Sequence, residues 1–259
     1  MHRSKKAAAA AAAAIAPLTM MALHPALASA SGSWPRCAGH NVTLLVGPSS
    51  PHEVKGSSKA DVILITAAGH VVRAGAGNDL ICGSNGHDAV IGGTGDDTIY
   101  GNGGADTELG QEGQDKLRGD SGDDLLSGGA GNDTETGGSG HDTIHGGTGD
   151  DSVDAGTGDD DVTGDEGDDA IKRGDGADHI DGGDGDDVEH GDAGDDVIKG
   201  GAGADDLHGD DGTDDLDGQD GADHEDGGTG ADTVHHDGSD DVHHDGSDTE
   251  VSEGGSGSH

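Results

Sequence analysis

Large aliphatic residues recur every nine positions along most of this chain, with glycine and aspartate between them. Writing the sequence in nines from Gly56 gives twenty units ending at His235, then two eight-residue units at 236 to 243 and 244 to 251. Position eight of most units is a large aliphatic residue, and polar residues commonly flank it. This pattern predicts a short strand at positions seven to nine, with its middle side chain facing a core.

The first six positions of each unit have the composition of a turn. Position four is glycine in every unit from Gly77 to Gly230, and position six is aspartate in every unit from Asp79 to Asp232. Glycines at positions one, two and four permit positive φ and expose backbone carbonyls. The aspartate adds a carboxylate, and Ca²⁺ prefers carbonyl and carboxylate oxygens. The array begins imperfectly, because His70 stands at position six of the second unit.

The unit G-G-x-G-x-D-x-U-x, with U a large aliphatic residue, is complete at 92 to 100, 137 to 145 and 200 to 208. Over residues 56 to 251 the chain resembles the calcium-binding nonapeptide repeats of RTX, or haemolysin-type, proteins. The resemblance implies an all-β fold: a right-handed parallel β-roll, or β-solenoid, of about ten coils with two nonapeptides in each. It also implies about sixteen calcium ions, held between turns eighteen residues apart on each edge.

In this family resemblance, position six supplies the carboxylate ligands. Asp79 would share an ion with Asp97, and Asp88 with Asp106. The predicted calcium ligands are Asp79, Asp88, Asp97, Asp106, Asp115, Asp124, Asp133, Asp142, Asp151, Asp160, Asp169, Asp178, Asp187, Asp196, Asp205, Asp214, Asp223 and Asp232.

Composition sharpens this picture of an ion-dependent fold. The chain has 259 residues, including 54 glycines, 55 acidic residues and only two aromatic residues, Trp34 and Tyr100. Few side chains are therefore large enough to fill a conventional core. The acidic charge excludes nucleic acid and anionic membranes as partners and favours calcium ions, while a protein or surface partner is left unspecified. We expect the calcium-free chain to be disordered and calcium binding to be coupled to folding.

The amino terminus has the charged-then-apolar order of a secretory signal. Basic residues between His2 and Lys6 precede an apolar stretch from Ala7 to Leu27, and Ala28 to Ala30 supply the small residues of a cleavage site. A transmembrane anchor is the alternative, although Pro17 and Pro25 interrupt the stretch. We therefore expect a secreted protein with a signal peptide at 1–30, an amino-terminal cap at 31–55, a calcium-binding β-roll at 56–251 and a flexible tail at 252–259.

Cys37 and Cys82 are the only cysteines. An even pair in an exported chain predicts a disulfide, with a metal site or reactive thiols as alternatives. Such a bond would fasten the amino-terminal segment to the first repeats. The segments Cys37-Ala38-Gly39 and Ile81-Cys82-Gly83 resemble those of secreted repeat proteins of actinobacteria.

Five of the twenty-two residues at position eight are glutamates: Glu108, Glu135, Glu189, Glu225 and Glu250. This position faces the predicted core, where an unpaired carboxylate raises its pKa or distorts its strand. One interpretation is drift within an array that tolerates weak units. A second is a register change that turns glutamate outward and a neighbour such as Leu109 or Val188 inward. The third is a pH-sensitive seam.

Other candidate chemistry is sparse. His235, His236, His243 and His244 lie near aspartates and could bind Zn²⁺, Ni²⁺ or Cu²⁺, or simply fill outward strand positions. The segment HEVKG at 52 to 56 lacks the second histidine of a zinc-peptidase motif. We therefore expect a binding or structural protein and not an enzyme. The alternatives are a disordered acidic cation buffer and an adhesive or ice-binding solenoid.

Overall fold

The described part of the chain is built from strands wound into a solenoid. The computed structural model describes residues 36–236, 238–243 and 248–252, so the expected signal peptide lies outside the described residues. The regular structure in these ranges is β-strand, and its two main sheets have twelve strands each. Strands within each main sheet are parallel. Eleven steps of about 4.8 Å make the roll about 50 Å long. The predicted parallel β-roll is confirmed, with about eleven turns.

The first main sheet, sheet 1, contains alternate strands of the roll. In chain order its strands are β4 (Glu53–Lys55), β6 (Val71–Ala76), β8 (Ala89–Thr94), β10 (Thr107–Glu112), β12 (Leu125–Ala130), β14 (Thr143–Thr148), β16 (Asp161–Glu166), β18 (His179–Asp184), β20 (Val197–Gly203), β23 (Asp215–Gly221), β26 (Thr233–His236) and β28 (Thr249–Ser252).

The second main sheet, sheet 2, contains the strands between them. These are β3 (Leu44–Val46), β5 (Val62–Ile65), β7 (Leu80–Cys82), β9 (Thr98–Tyr100), β11 (Lys116–Ser121), β13 (Thr134–Ser139), β15 (Ser152–Thr157), β17 (Ala170–Asp175), β19 (Val188–His190), β21 (Asp206–His208), β24 (His224–Asp226) and β27 (Asp241–His243). Two short pairs complete the structure: β1 (Arg36–Cys37) with β2 (His40–Asn41), and β22 (Asp211–Gly212) with β25 (Thr229–Gly230).

Many strands are longer than the sequence pattern predicts. Strand β10 begins at position seven of one unit and continues through positions one to three of the next. At position two, Gln111 pairs in register with Gly93 although both have left-handed φ values, of 88° and 128°. The chain therefore bends within the sheet at position two, and the turn is reduced to positions four to six.

The core consists mainly of position-eight side chains from both sheets, which meet between the sheets. Ile99, Leu126 and Ile180 are 0 % exposed, and the apolar cluster extends from Val46 to Leu216. One large side chain per strand faces one from the opposite sheet, so the apolar layer is thin. Such a layer is stabilised coil by coil through contacts with its neighbours.

The amino-terminal end of the roll is closed by a small separate cluster. Cys37 and Cys82 form a disulfide with a Cα–Cα distance of 5.7 Å, and Val42 is buried beside them. Residues 44–55, within the expected cap, already supply the first strand of each main sheet. The cap therefore continues directly into the coils of the roll.

Candidate metal centre

The position-six aspartates form two rows, one along each edge of the roll. All eighteen, from Asp79 to Asp232, are buried with exposures of 1–4 %. One row runs through Asp97 and Asp115, and the other runs through Asp106 and Asp124. Residues eighteen apart in sequence are thus stacked on the same edge, in adjacent coils.

Backbone hydrogen bonds hold each row together. The N–H of Asp97 donates to Oδ1 of Asp115 over 2.7 Å, and the N–H of Asp106 donates to Oδ1 of Asp124 over 2.7 Å. The pairs expected to share an ion, Asp79 with Asp97 and Asp88 with Asp106, are joined in the same way, at 2.8 and 2.7 Å. Each carboxylate is therefore fixed in place by the coil before it.

One oxygen of most of these carboxylates makes no hydrogen bond within the described residues. The sixteen aspartates from Asp79 to Asp214 each have such a buried oxygen, which is Oδ1 in Asp88 and Oδ2 in the others. Burial raises the pKa of Asp97 to about 7 and that of Asp79 to about 6. Because a buried anionic oxygen without a partner is unfavourable, a cation beside these oxygens would stabilise the arrangement.

Position one provides space beside the unpaired carboxylate oxygen. A Cβ added to Gly191 would lie 2.5 Å from Oδ2 of Asp196 and 2.7 Å from the carbonyl oxygen of Gly209. Gly191 does not have a positive φ, so the expectation that glycine at position one serves backbone geometry is wrong there. Glycine stands at this position because a side chain would displace two oxygens.

At position two the requirement is a left-handed backbone conformation and not space for neighbouring oxygens. Its φ is left-handed even where the residue is not glycine, as at Asn102 with 72° and Asp120 with 69°. Asparagine and aspartate enter this region more readily than most residues. Loss of glycine at position two is therefore tolerated, which the repeat pattern alone did not predict.

Oxygens also meet at position four of the turn. A Cβ added to Gly212 would lie 2.6 Å from Oδ1 of Asp214 and would overlap the carbonyl oxygen of Gly194, eighteen residues earlier. The described residues contain no group of three or more His, Cys, Asp or Glu side chains arranged to hold a metal ion. An ion at these turns would find backbone carbonyl oxygens beside the carboxylate oxygens. Such a mixed oxygen set fits Ca²⁺.

The structure answers where the position-eight glutamates point. Glu108, Glu135, Glu189 and Glu225 are 0 % exposed, whereas Glu250 is exposed. Burial raises the pKa of Glu108 to about 8 and that of Glu135 to about 9.

The register-change interpretation is wrong at Glu108 and Glu189. Leu109 is only half-buried and Val188 is 40 % exposed, so neither neighbour has replaced its glutamate in the core. Parallel pairing with strands on both sides holds each strand in place, and a shift by one residue would turn every side chain over.

Arg173 is a buried cation in the interior that the sequence analysis missed. It occupies position one, is 0 % exposed, and donates from Nη1 to the carbonyl oxygen of Asp160 over 3.3 Å. Burial lowers its pKa to about 10, while nearby carboxylates, Asp178 and Asp196 among them, favour the charged form. The size of Arg173 could have indicated its unusual position, since position one is glycine or alanine in all the remaining units from Ala74 to Gly227.

The histidine cluster gives no transition-metal site in the part of the chain that is described. His235 Nε2 lies 3.0 Å from Oδ1 of Asp215, and His243 is exposed. His236 joins no metal-binding group within those ranges, and His244 lies outside them.

Stacked coils with carboxylate and carbonyl oxygens at both edges define a β-roll of the calcium-binding type. The chain belongs to the family of RTX calcium-binding nonapeptide repeats, whose model of four copies matches residues 71–90, 83–107, 109–135, 136–171, 174–189 and 190–225. It is thus a calcium-binding repeat protein. A comparison with curated proteins finds no significant match. Within the described ranges no helix has the length and apolar character needed to cross a membrane.

Proposed function

We propose that this protein binds about sixteen calcium ions outside the cell and folds as it does so, forming an ordered structural or surface-associated module. The observation that carries the proposal is the buried carboxylate oxygen without a hydrogen-bond partner, repeated from Asp79 to Asp214. A calcium ion between neighbouring turns would neutralise these oxygens and join one coil to the next.

The charge of the chain supports coupling between binding and folding. The full sequence carries a formal charge of −43, and the roll stacks its buried aspartates in two rows. Repulsion along each row opposes folding, and the thin apolar core offers limited compensation. Divalent ions remove the repulsion, so their binding free energy contributes directly to folding.

A far-UV circular dichroism titration tests this function. The protein in chelator is expected to show a disordered spectrum and to gain strand signal cooperatively as Ca²⁺ is added, with Mg²⁺ and Zn²⁺ titrated in parallel. An equal response to Zn²⁺, or a strand spectrum already present in chelator, would contradict the proposal.

A matched pair of variants assigns the response to the turns. Asp151 is buried with an unpaired Oδ2, while its neighbour Asp150 is exposed. Asp151→Asn is expected to raise the calcium midpoint and destabilise the loaded roll by about 1–3 kcal/mol. Asp150→Asn removes the same charge and is expected to leave the midpoint nearly unchanged. Equal shifts would mean that general charge, and not the turn site, controls binding.

A further inference from the structure

Three oxygens converge inside the roll where a glutamate replaces the aliphatic residue at position eight. A Cβ added to Gly101 would lie 2.6 Å from Oε1 of Glu108, 2.7 Å from Oδ2 of Asp106 and 2.9 Å from the carbonyl oxygen of Gly119. The glutamate and the aspartate belong to one unit, and the carbonyl belongs to the next coil. All three oxygens therefore lie within about 3 Å of one point.

The same constellation recurs at a second glutamate. A Cβ on Gly182 would lie 2.5 Å from Oε1 of Glu189, 2.6 Å from Oδ2 of Asp187 and 2.5 Å from the carbonyl oxygen of Gly200. This site lies eighty-one residues further along the chain. Its recurrence in the opposite sheet makes it a property of the repeat and not of one coil.

Glu135 brings its carboxylate to the same place in its own unit. A Cβ on Gly128 would overlap both Oε1 of Glu135 and Oδ2 of Asp133. Neither oxygen of Glu135 has a hydrogen-bond partner within the described residues, although the residue is 0 % exposed. Its register neighbours are Leu117 and Val153, so its own sheet offers no polar group at this level.

Glu108 and Glu189 also have carboxylate oxygens without a hydrogen-bond partner in the described part of the chain. Neither oxygen of Glu189 has one within the described residues, and Glu108 uses only Oε2, which accepts from the N–H of Arg118 over 3.2 Å. Two buried carboxylates facing one another repel unless something positive lies between them. Oxygens separated by no more than about 5 Å can bind one Ca²⁺ at 2.3–2.6 Å.

We propose that Glu108, Glu135 and Glu189 complete a second class of calcium site, inside the roll, in which Oδ2 of the position-six aspartate bridges the interior ion and the neighbouring turn ion. Each ion would be held by Oε1 of the glutamate and Oδ2 of the aspartate two residues earlier. At Glu108 and Glu189 the position-one carbonyl of the next coil is a third ligand. The choice of calcium rests on the proposed function, whereas the site itself rests on these oxygens.

Glu225 and Glu250 provide matched controls at the same position of the repeat. Oε1 of Glu225 accepts a hydrogen bond from the N–H of Gly218 over 2.8 Å, and no oxygen of Glu225 is among the three atoms nearest to a Cβ built at Gly218, so the convergence seen at Glu108 and Glu189 is not repeated there. Glu250 is exposed at the carboxy-terminal end of the described roll. Neither residue is expected to hold an interior ion.

Native mass spectrometry of the calcium-loaded full chain counts the ions directly. The triple variant Glu108→Val, Glu135→Val and Glu189→Val is expected to retain three fewer calcium ions than the unaltered protein. The double variant Glu225→Val and Glu250→Val is expected to retain the same number. Valine suits the core because position eight is aliphatic in most other units, so the triple variant is expected to fold.

Equal ion counts in the triple variant and the unaltered protein would overturn the interior sites while leaving the turn sites intact. If the unaltered protein retained no calcium, both proposals would fail together. Infrared spectroscopy of the loaded protein at neutral pH adds a second readout. A protonated-carboxyl band that disappears in the triple variant would mean that protons, and not calcium, neutralise these glutamates, and would also overturn the proposal.

Discussion

The amino-terminal coils at residues 44–82 and the repeats that follow are wound alike but filled differently. In the first coils, Ile65 and Ala74 stand at position one, and both are buried. From Gly92 to Gly227, position one is glycine in all units except those of Ala155 and Arg173, and an aspartate oxygen lies beside each of these glycines. Hydrocarbon fills the space at Ile65 and Ala74, whereas a carboxylate oxygen lies there beside the later glycines.

This difference shows which residues depend on one another. His70 replaces aspartate at position six of the unit in which Ile65 stands at position one. Without a carboxylate to accommodate, position one can carry a large side chain. On the proposed function, the amino-terminal coils would therefore need fewer ions than the later repeats, whose aspartates are stacked.

Removal of calcium is expected to have the largest effect and to separate the two regions. In excess chelator the repeats beyond Gly83 should lose their strands, because repulsion between stacked carboxylates is no longer neutralised. Residues 44–82 should retain more protection, because their core is apolar and tied by the disulfide. Hydrogen exchange followed by mass spectrometry measures this directly. Uniform loss of protection along the chain would contradict the comparison.

Loss of the disulfide is expected to weaken the amino-terminal region specifically. Cys37 and Cys82 are 45 residues apart in sequence. Removing a disulfide that closes a loop of this size lowers the free energy of unfolding by about 4 kcal/mol. Replacing both with serine should lower the stability of the first coils in saturating calcium. Hydrogen exchange should rise within residues 44–82 and remain unchanged beyond about residue 120. A rise spread over the whole roll would show that the two regions unfold as one unit.

Replacing Arg173 is expected to have a comparable or slightly smaller effect within the later repeats. Arg173→Met removes the buried cation near Asp160, Asp178 and Asp196, and leaving buried carboxylates without it should cost about 3 kcal/mol at low calcium. Thermal unfolding at limiting and saturating calcium measures the loss. Saturating calcium should recover part of the stability, because an ion can replace the guanidinium. No dependence on calcium would show that Arg173 acts only by packing.

Acidification without calcium is expected to give the smallest effect, a partial recovery of strand. The folded-state pKa values of about 7 for Asp97 and about 9 for Glu135 lie above the ordinary range, so the folded roll binds protons more tightly than the unfolded chain does. Protonation therefore stabilises the calcium-free roll, and that stabilisation is lost as pH rises through about 7 to 9. Circular dichroism in chelator from about pH 9 to about pH 5 should show increasing strand signal. A decrease would contradict these shifts.

The sequence was sufficient to predict the roll because its period is visible in nearly every unit. Position six and position eight were placed correctly because one needs a carboxylate in the turn and the other needs a side chain in the core. The roles of positions one and two were not separable, since glycine is common at both and only the backbone shows that one provides space and the other positive φ. Arg173 and the inward glutamates depart from the repeat pattern. Their surroundings are formed by residues of adjacent coils, and the repeat pattern alone does not show which of those residues are in contact.

The hydrogen bonds along each row of aspartates also give the roll a direction. An N–H always donates to the carboxylate eighteen residues later in the regular array, as Asp133 does to Asp151. A new coil added at the carboxy-terminal end therefore brings an acceptor to a donor that is already in place. A chain synthesised from its amino terminus can extend the roll coil by coil from a preformed start. Gain or loss of whole eighteen-residue coils would change the length of the roll and leave that starting point unaltered.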